Sequence, residues 1–70
     1  MVYKYRIETR RLETGNTESR IDNSGHPIEE NQLSLSYQQT YREVTRLHKE
    51  AIKLLGLEKV TTEFCEANME

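Results

Sequence analysis

The side chains that could do chemistry in this chain are few: His26, His48, the lone cysteine Cys65, and carboxylates of which Glu29 and Glu30 form an adjacent pair. A metal centre needs several such groups converging on one ion. His26, His48 and Cys65 have no ligand spacing, so no metal site is expected. A cysteine nucleophile needs a neighbouring base and a firm scaffold, whereas Cys65 follows Phe64 close to the end of the chain. An idle or buried thiol is the simpler reading. Glu29 and Glu30, as sequence neighbours, diverge and should not share a proton. The three glycines, Gly15, Gly25 and Gly56, stand apart in separate turns and cannot form a phosphate cradle. His48 falls on an apolar stripe and reads as a packed histidine, and His26, preceding Pro27, as part of a solvated loop. The expectation is a non-catalytic chain with no catalytic residues, metal, cofactor or small-molecule substrate.

Binding chemistry has more material. In an extended strand Lys4, Arg6 and Arg10 share one face, and Arg20 can join them from a partner strand, which makes these four the candidate nucleic-acid contacts. Glu8, Glu18 and Asp22 occupy the same face, so mixed-charge pairing on a solvated surface competes with that reading. A second basic row, Arg42, Arg46, Lys49 and Lys53, is interleaved with Glu43 and Glu50 at spacings such as Arg46 to Glu50 that suit pairs within a helix. The whole chain carries ten Lys and Arg against twelve Asp and Glu, a net charge of -2, so no global field draws it to nucleic acid or anionic lipid. Locally the charge alternates: +3 over residues 1–12, -4 over 13–32, +2 over 33–57 and -3 over 58–70. Folding of basic segments back on acidic ones is the plainest consequence.

The elements that must position these residues follow from the hydrophobic periods. Residues 2–12 alternate, with Tyr3, Tyr5, Ile7 and Thr9 on one face, and read as a strand. Thr14-Gly15-Asn16 supplies a turn, and residues 17–22 return as the second strand of a hairpin. A two-residue Gly15-Asn16 loop would set Arg11 opposite Arg20 and turn Ile21 away from Ile7. A three-residue loop keeps Ile21 on the face of Tyr3, Tyr5 and Ile7, and is preferred. Residues 23–31 hold turn formers and Pro27 and are assigned to a loop.

Tyr37, Tyr41, Val44, His48, Ala51 and Leu55 then recur at four-three spacing with Leu47 and Leu54 beside them, which predicts a helix over 36–55. Ser36 and Gln39 resemble a capping box, and Gly56 suits a left-handed stop. In the tail, 57–70, Val60, Thr62 and Phe64 alternate as in a strand, while Leu57, Val60 and Phe64 also fit a helix. The β-branched run Val60-Thr61-Thr62 favours a short third strand, with fraying after Cys65. The fold class expected is α+β, one domain over 1–70: an antiparallel hairpin packed in two layers on one long amphipathic helix, ββα or ββαβ.

Seventy residues with 34% apolar content build a thin core. No apolar run approaches the ~20 residues of a membrane span, the start lacks a secretory pattern, and one cysteine cannot form an internal disulfide, so a cytoplasmic setting is the default. The helical stripe is wider than two strands can cover. Tyr41, Val44, Leu47, Leu54 and Leu55 are therefore the candidate partner-binding residues. The leading expectation is a protein-interaction module, an adaptor, subunit or inhibitor, acting as a homodimer through a sheet edge and the exposed helix. A nucleic-acid-binding regulator is the alternative.

Overall fold

The computed structural model describes residues 2–67 of the chain, and side chains over residues 4–65. It is an α+β fold. Strands β1 (Val2–Arg11), β2 (Thr17–Asn23), β3 (His26–Ile28) and β4 (Lys59–Ala67) form one antiparallel sheet in the order β3-β2-β1-β4, and helix α1 (Leu35–Leu55) packs on one face of it.

β1 and β2 pair with Ile7 opposite Ile21 and Thr9 opposite Ser19, so the two isoleucines share the inner face. The ladder closes where the Leu12 N–H donates to the Asn16 carbonyl at 2.8 Å, and the Gly15 N–H turns back to the Leu12 carbonyl at 2.9 Å. Three residues, Glu13 to Gly15, thus make the loop, one position earlier than the Thr14-Gly15-Asn16 turn suggests. Gly15 lies at φ 91°, the left-handed position that a three-residue hairpin loop requires.

The assignment of 23–31 to a loop is corrected. Ser24 and Gly25, at φ 52° and 88°, form a two-residue connection of the kind whose twist matches paired strands, and β3 folds back on β2 with Ile21 opposite Ile28 and Asn23 opposite His26. Turn formers here start a hairpin. Pro27 is tolerated because it stands opposite Asp22 on an edge strand. The ladder bonds alternate, so its missing N–H falls at a position that makes none. A short 3-10 turn at Glu30–Gln32 follows. It is braced by the Glu29 N–H donating to Gln32 Oε1 at 2.7 Å and by Arg42 gripping Glu30 Oε2 through Nε at 3.0 Å and Nη2 at 2.8 Å.

The capping box expected at Ser36 and Gln39 is replaced by a start at Ser34, whose carbonyl accepts from the Gln38 N–H at 2.8 Å. Leu33 causes the shift: it is buried in the core, so the chain must turn into the helix directly behind it. Gly56 closes the helix in the left-handed region, φ 67° and ψ 29°.

The core is small. Ile7, Ile21 and Leu33 are buried together, with Tyr5, Ile28, Tyr37, Tyr41, Val44 and Phe64 packed around them. Each fully buried aliphatic side chain contributes about 1.5–3 kcal/mol, so these three, with Ile52 buried separately further along the helix, do not leave much margin. Tyr37 stacks on Phe64 with centroids 5.8 Å apart and planes 9° off parallel, and Tyr5 joins both at 5.7 and 5.3 Å. This aromatic group stiffens the end of the sandwich where the helix begins.

The helical stripe is also corrected at its end. Ile52, absent from the expected series, is buried, while Leu55 is 70% exposed. Ile52 stands level with Arg11 and Thr17, the last rung of the hairpin. Leu55, three residues or about 4.5 Å further along the axis, lies beyond the sheet.

The tail is a full strand rather than a short one. β4 pairs along nine positions of β1, from Val2 opposite Ala67 to Arg10 opposite Lys59. β4 runs on through Ala67, past Cys65, after which fraying is expected; residues 68–70 lie outside the described residues, as does the side chain of Tyr3.

Candidate interaction surface

β4 is the outermost strand of the sheet and, among the described residues, pairs with β1 alone. The direction of its backbone groups follows from one bond. Arg11 N–H donates to the Glu58 carbonyl at 2.8 Å, and Arg11 and Glu58 continue the register of the β1 and β4 ladder. Hydrogen-bonded pairs recur every second residue in an antiparallel ladder. Val60, Thr62 and Phe64 therefore bond inward to β1, and Lys59, Thr61, Glu63 and Cys65 aim their N–H and C=O groups at the open edge.

Rotation about the helix places the leucines relative to that edge. Tyr41 lies over Ser19, Ile21 and Ile28, and Lys49 and Ile52 lie by Thr17, so that flank of α1 faces β2. At 100° per residue Leu47 and Leu54, two turns apart, fall on the opposite flank, on the β4 side, with Leu54 about 3 Å past Ile52 at the Lys59 end of β4. His48 Nε2 lies 2.7 Å from Thr62 Oγ1, which sets the level of Leu47 along β4. Leu47 and Leu54 are 53% and 79% exposed. Open backbone edge and leucine row occupy one side of the molecule.

The candidate partner-binding residues thus divide. Tyr41 and Val44 pack on the core, whereas Leu47, Leu54 and Leu55 are exposed, Leu55 beside the helix terminus. Leu35, 82% exposed at the other end of the helix, was not singled out by the sequence pattern because it lies off the stripe.

Lys4, Arg6, Arg10 and Arg20 do share the outer face of the sheet, opposite the helix, but not alone. Glu8 takes Arg6 at 3.1 Å and Arg10 at 3.5 Å, and Arg20 lies 3.6 Å from Glu18. The pairs run along strands rather than across them. Burial works against the Glu8 carboxylate, but the Arg6 hydrogen bond and the charges of Lys59 and Arg10 outweigh it and hold its pKa below the ordinary value. One opposition of like charge remains: Lys59 stands directly across from Arg10.

Inside the molecule His48 is 4% exposed and both ring nitrogens are engaged, Nδ1 with Thr9 Oγ1 at 3.0 Å and Nε2 with Thr62 Oγ1 at 2.7 Å. Thr9 also meets Ser19 Oγ at 2.8 Å. Burial lowers the His48 pKa, so at neutral pH the ring is an uncharged bridge between helix and sheet. Thr9 and Thr62 at inward strand positions beneath a stripe histidine were the available signal for this bridge. It has no open approach for a substrate.

Among the described residues no cluster of His, Cys, Asp and Glu could hold a metal ion, and no helix is long and apolar enough to cross a membrane. Cys65 is exposed on the outer face, opposite Lys4. At the helix terminus an open hollow of about 600 Å³ is lined by Arg11, Lys49 and Lys53 over Ile52, but Arg11 lies 3.6 Å from Glu58. Comparison with protein-family models, with curated proteins and with solved structures finds no match.

Proposed function

We propose that this chain is a non-catalytic protein-interaction module that self-associates through the β4 edge and the flank of α1 above it. The observation that carries this reading is the exposure of Leu47 and Leu54 on the flank of α1 beside a nine-residue strand at the sheet edge. Burying both leucines would add to a core that is thin for a lone domain. An unpaired strand edge recruits another strand by its own backbone bonds. A surface offering both elements is self-complementary under a two-fold axis.

Light scattering coupled to size exclusion tests it. The expected mass at high micromolar concentration is twice that of the chain, falling to the monomer on dilution or in Leu54→Glu. A strict monomer across that range rejects self-association.

Nucleic-acid binding through Lys4, Arg6, Arg10 and Arg20 is the weaker reading, because Arg6 and Arg10 already share Glu8 and Arg20 lies by Glu18. A mobility shift that weakens with salt would favour it over the interaction module.

A further inference from the structure

We infer that two copies join β4 to β4 antiparallel about a two-fold axis through Thr61, making one continuous eight-stranded sheet. The inference rests on the self-association proposed above and specifies its geometry. The backbone bonds of Lys59, Thr61, Glu63 and Cys65 aim at the open edge, so in an antiparallel pair of β4 strands odd positions must meet odd positions in the hydrogen-bonded rungs. That halves the possible registers, and of those that remain only one sets Lys59 opposite Glu63. Centring on Glu63 sets two carboxylates against each other. Centring on Thr62 pairs Thr61 with Glu63 and leaves Lys59 opposite Cys65, without charge benefit. Centring on Thr61 places Lys59 of each copy opposite Glu63 of the other, twice, with Thr61 against Thr61 on the axis.

The charge pattern of the sheet singles out the third arrangement. Lys59 faces Arg10 within its own sheet, an opposition of like charge relieved on that side by Glu8, and Glu63 faces Arg6, which pairs with Glu8. Like charges directly opposite destabilise a ladder. In the Thr61-centred pair each Lys59 gains a carboxylate on its other side. The same axis suits the helices. Leu47 lies near the level of Thr62, and α1 runs antiparallel to β4, so Leu54 lies towards Lys59. A two-fold at Thr61 brings Leu47 of one copy towards Leu54 of the other. Lys59 and Glu63 also fit the opposite use, charges that keep an edge strand solitary, which the test below separates.

The experiment is oxidative cross-linking in the full chain with Cys65→Ser, comparing Thr61→Cys with Glu63→Cys. A residue on the axis meets itself at about 5.5 Å between Cα atoms, within disulfide range. Rapid covalent dimer from Thr61→Cys and not from Glu63→Cys is the result expected. Cross-linking at Glu63→Cys alone, or at neither site while light scattering still reports a dimer, overturns the register and leaves self-association standing. A monomer by light scattering overturns both. Charge reversal supplies a second readout: Lys59→Glu and Glu63→Lys should each weaken self-association about tenfold, and the double reversal should restore it. Loss in the double variant equal to the sum of the singles contradicts the Lys59 to Glu63 pairing.

Discussion

His48 and Thr9, 39 residues apart, meet inside the molecule with Nδ1 3.0 Å from Oγ1, and the opposite ring nitrogen reaches Thr62 at 2.7 Å. The helix is thereby tied to β1 and β4 through a single neutral ring. This polar bridge lies between the aromatic group around Tyr5 and the buried Ile52, where an apolar layer would otherwise continue.

The bridge makes stability depend on pH near neutrality. Burial lowers the folded-state pKa of His48 from the ordinary 6.5. Below about 6.5 the unfolded chain takes up a proton that the folded chain resists, so stability is complete above that pH and is lost as pH falls towards the lowered folded value. Urea unfolding between pH 7.5 and 5 should show this decline. His48→Gln should flatten it, and an equal decline in that variant would place the effect elsewhere.

Thr9 serves two partners, Ser19 and His48. Thr9→Val keeps the shape and removes the hydroxyl, leaving His48 Nδ1 buried without its partner. The expected cost is about 1–3 kcal/mol, read as a lower urea midpoint at unchanged slope. An effect within 0.5 kcal/mol, on the order of a surface substitution, would mean that water replaces the hydroxyl.

Ile52 and Leu55 separate burial from pattern. Ile52→Ala should cost about 2–4 kcal/mol, whereas Leu55→Ala, at an exposed position past the sheet, should stay within about 0.5 kcal/mol. Thermal or urea unfolding of the two variants side by side decides it. Comparable losses would show that the helix terminus packs more closely than its exposure indicates.

These two residues also show how far the sequence could be read. Strand alternation in β1 and the heptad-like stripe of α1 are local periods, and they place Ile7, Ile21, Tyr37 and Val44 correctly. Where a stripe stops being covered depends on the length of the sheet beneath it, which no period encodes, and so Leu55 counts in the stripe as well as among the surplus leucines, while the buried Ile52 is not in the series. The Ser24-Gly25 connection and Pro27 read as breakers because the rung at which Pro27 loses no bond exists only once β2 is in place. β4 was ambiguous for a similar reason: Val60 and Phe64 fit two periods, and only pairing with β1 chooses. Of the candidate surface, Leu47, Leu54 and Leu55 were legible as surplus apolar residues, but the open edge below Leu47 and Leu54 was not.

Glu8 holds Arg6 and Arg10 on the outer face. Its lowered pKa means that the stability it adds is present above about 4.5 and lost as pH falls below that. Glu8→Gln should cost less than about 1 kcal/mol at pH 7, shrink further in high salt, and soften the acid side of the pH profile. A loss that salt does not diminish would indicate packing by the Glu8 stem.

Amide exchange at Thr61 and Glu63 tests the account most directly, because their N–H groups aim at the open edge and, among the described residues, have no partner strand within one copy. Slow exchange at high micromolar concentration that accelerates on dilution is the predicted result, while Thr62, bonded to β1, stays protected throughout. Exchange at Thr61 and Glu63 that is equally fast at every concentration would contradict the proposed use of the β4 edge.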